Sequence, residues 1–228
     1  MDPIRNPSAT ANLPALQLAS TNPGKLREFS EAAFAMGYKV APVPGIKRLP
    51  PCVEDGETFE ANARKKALHY AAFTNALVFA DDSGLMVDAL DGAPGVYSAR
   101  FSGLGATDEA NNQKLVQTLA RVPENLRIHI AAPPCSGFTA HYECVIALAH
   151  NSRILAAVKG RVDGVITEIP RGGGGFGYDP YFLYPPWGKT FAEITARRKF
   201  TVSHRGAAFR KLLNELRANP LKTPVKTL

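Results

Sequence analysis

The sequence predicts an α/β protein, with helices layered on a β-sheet. Stretches of strand-like and helix-like hydrophobic spacing alternate from residue 16 to residue 218. Hydrophobic residues form 45% and charged residues 21% of the chain, close to the average of globular domains, which excludes global disorder. The length of 228 residues favours one decorated domain over two full ones. We therefore expect a disordered arm at 1–15, a single domain at 16–218 and a tail at 219–228.

The first strand–helix unit follows the proline-rich arm. Residues 16–19 alternate like a short strand. Asn22 followed by Pro23 begins a helix, because asparagine caps helices and proline suits their first turn. Gly37 is a natural helix stop, after which strand residues resume at 38–43.

The middle of the chain predicts two helices and a buried strand. Residues 58–75 and 107–121 have helical spacing of their apolar side chains. Residues 76–80, with the sequence ALVFA, form a short apolar run, which is typical of a buried strand. That run leads directly into Asp81 and Asp82, where we expect the strand to end.

The last third predicts a hairpin and a final helix. Residues 142–149 and 153–158 read as two strands around a turn at Asn151-Ser152. Residues 182–184 predict a short strand, and Ser203 caps a helix that runs toward the C-terminus.

The positive charge is confined to one end of the chain. Residues 189–228 carry ten Lys/Arg and two Asp/Glu, while the other 188 residues carry 17 and 18. Such a segment attracts an anion, either a phosphorylated small molecule or a nucleic acid backbone. A solvated helix face with a frayed tail is the alternative that charge alone leaves open.

Cysteine use and hydropathy indicate a cytoplasmic protein. Cys52, Cys135 and Cys144 have no metal-binding spacing, and reduced thiols are the simplest interpretation, although Cys135 and Cys144 could pair. No apolar run is long enough to cross a bilayer, and the N-terminus lacks the apolar segment of a secretory signal. We therefore expect no membrane partner.

The first candidate site lies where the first strand turns into the first helix. Backbone N–H groups at a helix N-terminus, together with a lysine in the first turn, bind anions. An ordinary capped helix with a surface lysine is the alternative. The P-loop pattern is absent, because only its Gly-Lys pair is present. The site consists of Ser20, Thr21, Asn22, Pro23, Gly24 and Lys25.

The second candidate site combines Glu54 with the Asp81-Asp82 pair. Two carboxylates after an apolar strand are costly unless a cation balances them. Carboxylates, water and phosphate oxygens suit Mg²⁺. A surface turn is the alternative, because Asp-Asp-Ser-Gly is also good turn chemistry. Lys66 lies on the edge of the apolar face of its helix, where it either snorkels or points into the site.

Two further candidates lie in the last third of the chain. Four glycines at 172–175 precede two aromatic residues and a carboxylate, which suits either a base-stacking loop or a simple flexible turn. The dinucleotide-binding interpretation fails there, because no helix is predicted to follow Pro180. A basic cluster at the final helix could bind phosphate or keto oxygens, or simply cap the helix. The residues concerned are Phe176, Gly177, Tyr178, Asp179, Lys199, His204 and Arg205.

The order of these motifs is more specific than any one of them. The tracts LASTNPGKLREF, EDGETFEANARKKA, ADDSGLMVDALDGAPGVYSARFSG, GGFGYDPYF and SHRGAAFRKL resemble those of the inosine triphosphate pyrophosphatase family. The resemblance covers about residues 16–218. It implies an elongated, twisted, mixed β-sheet with flanking helices and two lobes around a substrate cleft. It also implies a homodimer.

The resemblance implies a reaction and a cofactor as well. The family hydrolyses deaminated purine nucleoside triphosphates, namely dITP, ITP and XTP, to the monophosphate and pyrophosphate, with Mg²⁺. By similarity, Glu54 and Asp82 hold the metal and Asp82 accepts the proton of the attacking water. The segment Ser20–Lys25 binds phosphate, and Ser83 and Lys66 contact the substrate.

The remaining roles follow from the same resemblance. The loop 176–179 forms the base pocket, and Lys199, His204 and Arg205 supply the last substrate contacts. Arg197 and Arg198 depart from the family, which often has acidic residues there, and the stretch 129–138 looks extended. Two alternatives remain: a pyrophosphatase for other modified nucleotides, and a basic nucleic-acid-binding protein, which would leave the carboxylates without a role.

Overall fold

The fold is a mixed α/β structure, as the sequence predicts. The computed structural model describes residues 14–130 and 136–218. The helices are α1 (Pro23–Ala35), α2 (Phe59–Ala71), α3 (Asp108–Leu119), α4 (Ala196–Val202) and α5 (His204–Ala218). The strands are β1 (Ala15–Leu18), β2 (Lys39–Pro42), β3 (Leu77–Val87), β4 (Ile128–His129), β5 (Ser136–His150), β6 (Arg153–Ile166), β7 (Phe182–Tyr184) and β8 (Lys189–Thr190).

The eight strands form one twisted sheet in the order β2-β1-β3-β5-β6-β7-β8, with β4 paired to β5. Strand β1 runs parallel to both β2 and β3, and the pairs from β3 onward are antiparallel. Strand β5 has 15 residues and β6 has 14. At about 3.4 Å per residue, β5 alone spans roughly 50 Å, which makes the sheet elongated.

The predicted hairpin between β5 and β6 is present, with strands longer than expected. Asn151 and Ser152 form its turn with φ angles of 47° and 62°. Two consecutive residues with positive φ match the right-handed twist of the flanking strands. Asparagine tolerates this conformation better than most residues.

The two predicted caps, Asn22 and Ser203, are present, while the helices expected at 58–75 and 107–121 end earlier, at Ala71 and Leu119. The side chain of Asn22 caps α1, that of Thr58 caps α2 and that of Thr107 caps α3. The Ser203 hydroxyl accepts a hydrogen bond from Gly206 N at 3.2 Å, as expected at the start of α5. No sequence pattern predicts α4, because its seven residues are too few for a clear hydrophobic period.

The prediction that a strand ends before Asp81 is wrong. Strand β3 continues through Asp81 and Asp82 to Val87, in antiparallel register with β5 along this length. The aspartates therefore lie inside a strand, and the alternative of a surface turn is wrong too. Because successive side chains of a strand point to opposite faces, Asp81 and Asp82 face different layers of the protein.

Three apolar clusters pack around the sheet. One contains Phe29, Phe79 and Phe209 between α1, β3 and α5. The second lies under α2 and includes Ala63. The third includes Leu115 of α3.

Some expectations fall outside the described residues. Of the expected arm and tail, the structure describes only residues 14 and 15 of the arm. Ala15 already belongs to β1. The possible Cys135–Cys144 pair cannot be placed, because residues 131–135 are not described. Cys144 itself is buried. Within the described ranges, no helix combines the length and the apolarity that crossing a membrane requires.

Candidate active site

A cavity of about 380 Å³ opens beside the middle of β3. Strand β1 ends at Leu18, opposite Phe79, and its chain then turns into α1. Beyond Phe79, β1 therefore no longer pairs with β3, and this edge of β3 is free. The 3₁₀ turn Gly95–Arg100 packs against β3 further along the strand. Side chains from both faces of the sheet can reach a cavity at such a free edge. This explains how the structure brings together residues from α1, α2, β3 and α5.

Asp81 faces the layer of α1 and α5. Its carboxylate lies 2.9 Å from Lys25 Nζ and 3.4 Å from Arg205 Nε. Burial alone would raise the pKa of Asp81, but the charges of Lys25, Arg205 and Lys66 outweigh it and lower the pKa to about 2. Asp81 is therefore an ionised structural anchor for the cationic side chains around it.

Asp82 faces the opposite layer, toward α2. Its Oδ2 accepts a hydrogen bond from Asn62 Nδ2 at 3.0 Å, and its Oδ1 accepts one from Ser83 N at 2.9 Å. Burial raises the pKa of Asp82 above its ordinary value, although Asn62 and Lys66 oppose the shift. Asp82 thus combines a raised basicity with a place on the cavity wall.

Lys66 and Glu54 meet on the same wall. Lys66 Nζ lies 2.5 Å from Glu54 Oε2 and donates to the Asp81 carbonyl at 3.3 Å. Burial opposes the charge of Lys66, yet Glu54 and Asp81 raise its pKa. The structure therefore turns Lys66 into the cavity and not along the surface. Its neighbour Lys65 pairs with Asp55 in the solvent-exposed region.

The N-terminus of α1 differs from the sequence expectation in one respect. Gly24 N and Lys25 N both donate to Asn22 Oδ1, at 2.8 Å and 3.1 Å. These N–H groups, expected to be free, are satisfied by the cap, and Pro23 has none to offer. Cationic and hydroxyl groups of this turn remain available to an anion on the cavity side, contributed by Ser20, Thr21 and Lys25.

The glycine-rich loop presents Phe176 to the cavity and holds it there. Asp179 accepts a hydrogen bond from Phe176 N at 2.9 Å. Gly177, with φ of 61°, donates its N–H to Asp108 and its carbonyl accepts from Asn112. Tyr178 is 4% exposed and donates to the Ser98 carbonyl at 2.8 Å. Phe176 is therefore the aromatic side chain of this loop that is placed to stack on a ligand.

Lys199 of α4 and His204 and Arg205 of α5 are buried, and Lys199 and Arg205 pair with carboxylates. Lys199 is 3% exposed, lies 2.5 Å from Asp179 Oδ2 and has its Nζ 4.7 Å from the centre of the Phe176 ring. Arg205 donates to Ser83 Oγ at 3.0 Å. His204 stacks on Tyr142, and burial together with nearby cations lowers its pKa well below the ordinary value.

The donor set of the cavity fits a magnesium ion. Glu54 and Asp82 both line it and supply hard carboxylate oxygens. Across the described residues, no three His, Cys, Asp or Glu side chains gather into a complete metal-binding cluster. Mg²⁺ is commonly bound through one or two carboxylates, with substrate phosphates and water completing its octahedron. Glu54 and Asp82 are thus the residues that would hold it.

Sequence reasoning missed several residues of the cavity and its supports. Asn62 is 1% exposed and also bonds both backbone groups of Gly56, so it links the Glu54 loop to Asp82. A polar residue between Phe59 and Ala63 on the apolar helix face was the available signal. Three other missed residues, Glu28, Ser98 and Arg100, lie within the tracts that carry the family resemblance, although no role was assigned to them. No sequence signal pointed to the rest: Asp108, Asn111, Asn112 and Tyr142.

Known proteins resemble this chain over most of its length. A model of the Ham1 family matches residues 16–215. A dITP/XTP pyrophosphatase of Desulforamulus reducens is 45% identical over 201 residues, covering 88% of this chain and 94% of that protein. A protein of the same name from Geobacter sulfurreducens is 44% identical over 201 residues, covering 88% and 96%.

Solved structures give the same result. A HAM1 protein from Coxiella burnetii matches with a TM-score of 0.76 and 36% identity, covering 90% of this chain and all of that one. The Staphylococcus aureus Ham1 protein matches with a TM-score of 0.74 and 35% identity, covering 90% and 98%. The family resemblance seen in the sequence motifs is thereby confirmed, and the chain belongs to the Ham1 family.

Proposed function

We propose that this protein is a Mg²⁺-dependent pyrophosphatase that hydrolyses dITP, ITP, XTP and dXTP to the nucleoside monophosphate and pyrophosphate, and so removes deaminated purines from the nucleotide pool. One observation carries the proposal. Two carboxylates and two lysines converge beside a stacking aromatic residue in one cavity. The relatives named dITP/XTP pyrophosphatase support the choice of substrate.

The carboxylates have distinct roles in this proposal. Asp82 accepts a proton from a water molecule as that water attacks the α-phosphorus, and the bond to the β-phosphate oxygen breaks. Pyrophosphate leaves with the bonding electrons. Mg²⁺, when bound by Glu54 and Asp82, neutralises phosphate charge and orients the oxygens. Asp82 is placed for this role by its position on the cavity wall, where Asn62 and Ser83 N fix its carboxylate.

Lys25 and Lys66 bind the phosphates. Each lies within an ion pair on the cavity wall, with Asp81 and Glu54 respectively. These carboxylates hold the two ammonium groups in fixed positions, so little side-chain entropy is lost when a triphosphate arrives. Ser20, Thr21 and Ser83 add hydroxyl groups on the same side.

The base lies against Phe176. Arg205 supplies fixed donors near that ring, 5.0 Å from its centre. Inosine and xanthine present a keto oxygen at C6, whereas adenine presents an amino donor there. Because an unpaired buried donor costs about 1–3 kcal/mol, adenine is disfavoured by one to two decades per contact. Guanine shares the keto group, so other walls must exclude its 2-amino group.

The decisive experiment measures pyrophosphate release from a panel of nucleoside triphosphates. We expect dITP, ITP and XTP to exceed ATP and GTP in kcat/KM by at least ~10²-fold. Modified pyrimidine triphosphates belong in the same panel, because they test the alternative pyrophosphatase function. Full activity in EDTA would contradict the role of the metal. Release of orthophosphate alone would contradict cleavage at the α-phosphorus.

Assembly, location and polymer binding are further parts of the proposal. Family resemblance supports a homodimer, which sedimentation at micromolar concentration tests. Cysteines without metal spacing support the cytoplasm. Part of the basic C-terminal charge, Lys199 and Arg205, is buried against Asp179 and Asp81, so we expect no nucleic acid partner. Nanomolar polymer binding at physiological salt, with a steep salt dependence, would contradict this.

A further inference from the structure

Arg100 reaches the cavity from the 3₁₀ turn that follows its free edge. Its guanidinium Nη2 donates to the backbone carbonyl of Glu54 at 3.3 Å, and its Cζ lies 5.2 Å from the centre of the Tyr97 ring. The side chain also lines the cavity wall. A guanidinium has five N–H donors, so one bond to a carbonyl leaves most of them unused.

The charge of Arg100 is uncompensated, unlike that of the other cations of the cavity. In the ranges 14–130 and 136–218 it makes no ion pair with a carboxylate, although it is part of a cavity rich in carboxylates. The other four cations each make one: Lys25 with Asp81, Lys66 with Glu54, Lys199 with Asp179, and Arg205 with Asp81. Arg100 is thus the cavity cation with a whole positive charge available to a ligand.

The contact with Glu54 places Arg100 beside the ion pair of Glu54 and Lys66 on the cavity wall. In the proposed function, Glu54 holds Mg²⁺ and Lys66 binds phosphate. Arg100 therefore lies next to groups that the proposed function assigns to the phosphate chain.

We propose that Arg100 binds the β- and γ-phosphates of the substrate and the pyrophosphate that they become. This inference rests on the proposed function. A planar guanidinium matches two phosphate oxygens in a bidentate arrangement, which a lysine cannot reproduce. Negative charge accumulates on the leaving pyrophosphate as the α–β bond breaks, so an unpaired cation there stabilises both the substrate complex and the departing group.

The test measures product binding, which needs no turnover. Isothermal titration calorimetry with Mg²⁺ present would give the affinities for inorganic pyrophosphate and, separately, for inosine monophosphate. The variants are Arg100→Gln, which removes the charge, and Arg100→Lys, which keeps the charge without the fork. Arg121→Gln is the matched control, because Arg121 is exposed after α3 and outside the cavity.

Arg100→Gln should weaken pyrophosphate binding about 10- to 100-fold, in line with the loss of hydrogen bonds to a charged group. Inosine monophosphate should bind within about twofold of wild type by the same reasoning, and Arg100→Lys should lie in between. Unchanged pyrophosphate affinity would overturn the proposal. So would an equal loss for both ligands, which would indicate a disturbed Glu54 loop. A wild type that binds pyrophosphate but releases none from ITP would contradict the proposed function alone.

Discussion

Lys25 Nζ and Asp81 Oδ2 lie 2.9 Å apart, in an ion pair that joins α1 to β3 beneath the cavity. The Asp81 side chain is 1% exposed and that of Lys25 is 17% exposed. The aspartate is therefore buried, while the lysine still lines the cavity. Removing a charge from water costs several kcal/mol, which the pair must offset through its own contact and that of Arg205. The pair fixes where the first helix meets the sheet.

Asp81→Asn should therefore destabilise the fold more than it alters the cavity surface. Removing one partner of a buried ion pair typically costs about 3–5 kcal/mol, because the remaining charges lose their compensation. Since the pKa of Asp81 in the fold is about 2, below its ordinary 3.8, its ionised form stabilises the protein above pH 3.8. That contribution declines as the pH falls from 3.8 toward 2. Urea unfolding of wild type and variant between pH 6 and pH 2.5 should show two stability curves that converge on acidification. Parallel curves would contradict the assignment.

Asp82→Asn should abolish most activity without harming stability. The amide keeps the shape, but its single oxygen can accept from only one of Asn62 and Ser83, and the group can neither accept a proton nor neutralise a cation. Because burial raises the pKa of Asp82, its charge costs folding free energy above that pKa, and removing the charge offsets the lost hydrogen bond. We expect kcat to fall ~10²–10⁴-fold, and the unfolding free energy to change by no more than about 1 kcal/mol.

The control for this variant is Glu57→Gln, an exposed acidic residue outside the cavity. It should leave both quantities unchanged. Turnover by Asp82→Asn at the wild-type rate would remove Asp82 from the reaction.

Lys66→Ala should lower kcat/KM for ITP by at least ~10-fold, because a charged phosphate contact is lost. In its ion pair with Glu54 the two side chains are 12% and 33% exposed, so solvent screens the pair only in part, and the unfolding free energy should fall by about 1–2 kcal/mol. Lys65→Ala is the matched control, since Lys65 belongs to the same helix and makes an exposed ion pair with Asp55. A lysine with a purely structural role would give the reverse pattern, with lower stability and unaltered kinetics.

Arg205→Leu should lower kcat/KM for ITP far more than it lowers kcat/KM for ATP. Arg205 also holds Asp81 and Ser83, so some loss will be common to both substrates. The ratio of the two kcat/KM values separates base reading from this structural loss. It should drop about tenfold or more, by the unpaired-donor argument.

Asp81→Asn is the control, because it breaks the same ion pair and leaves the Arg205 donors in place. It should leave the ratio of the two kcat/KM values unchanged. If Arg205→Leu also leaves this ratio unchanged, Arg205 does not read the base.

The local pattern of the sequence was enough for much of the fold. Asn22-Pro23 predicts the start of α1, Asn151-Ser152 predicts the hairpin turn, and Ser203 predicts the cap of α5. These signals depend on interactions between residues that are close in the chain, so they can be recognised from consecutive residues. The family resemblance could be recognised for the same reason, since its motifs are short and occur in a fixed order.

The tertiary structure decided what the aspartates do. From the chain alone, Asp81 and Asp82 form one acidic pair at the end of an apolar run. In the folded protein β5 pairs with β3 past that point, the strand continues, and the pleat sends the two carboxylates to opposite layers. One becomes a buried anchor for Lys25, and the other meets Asn62 on the wall of the cavity. The charged and amide side chains that set these opposite environments lie 15 to 124 residues away in sequence. Their charge and burial therefore exist only once the sheet has formed.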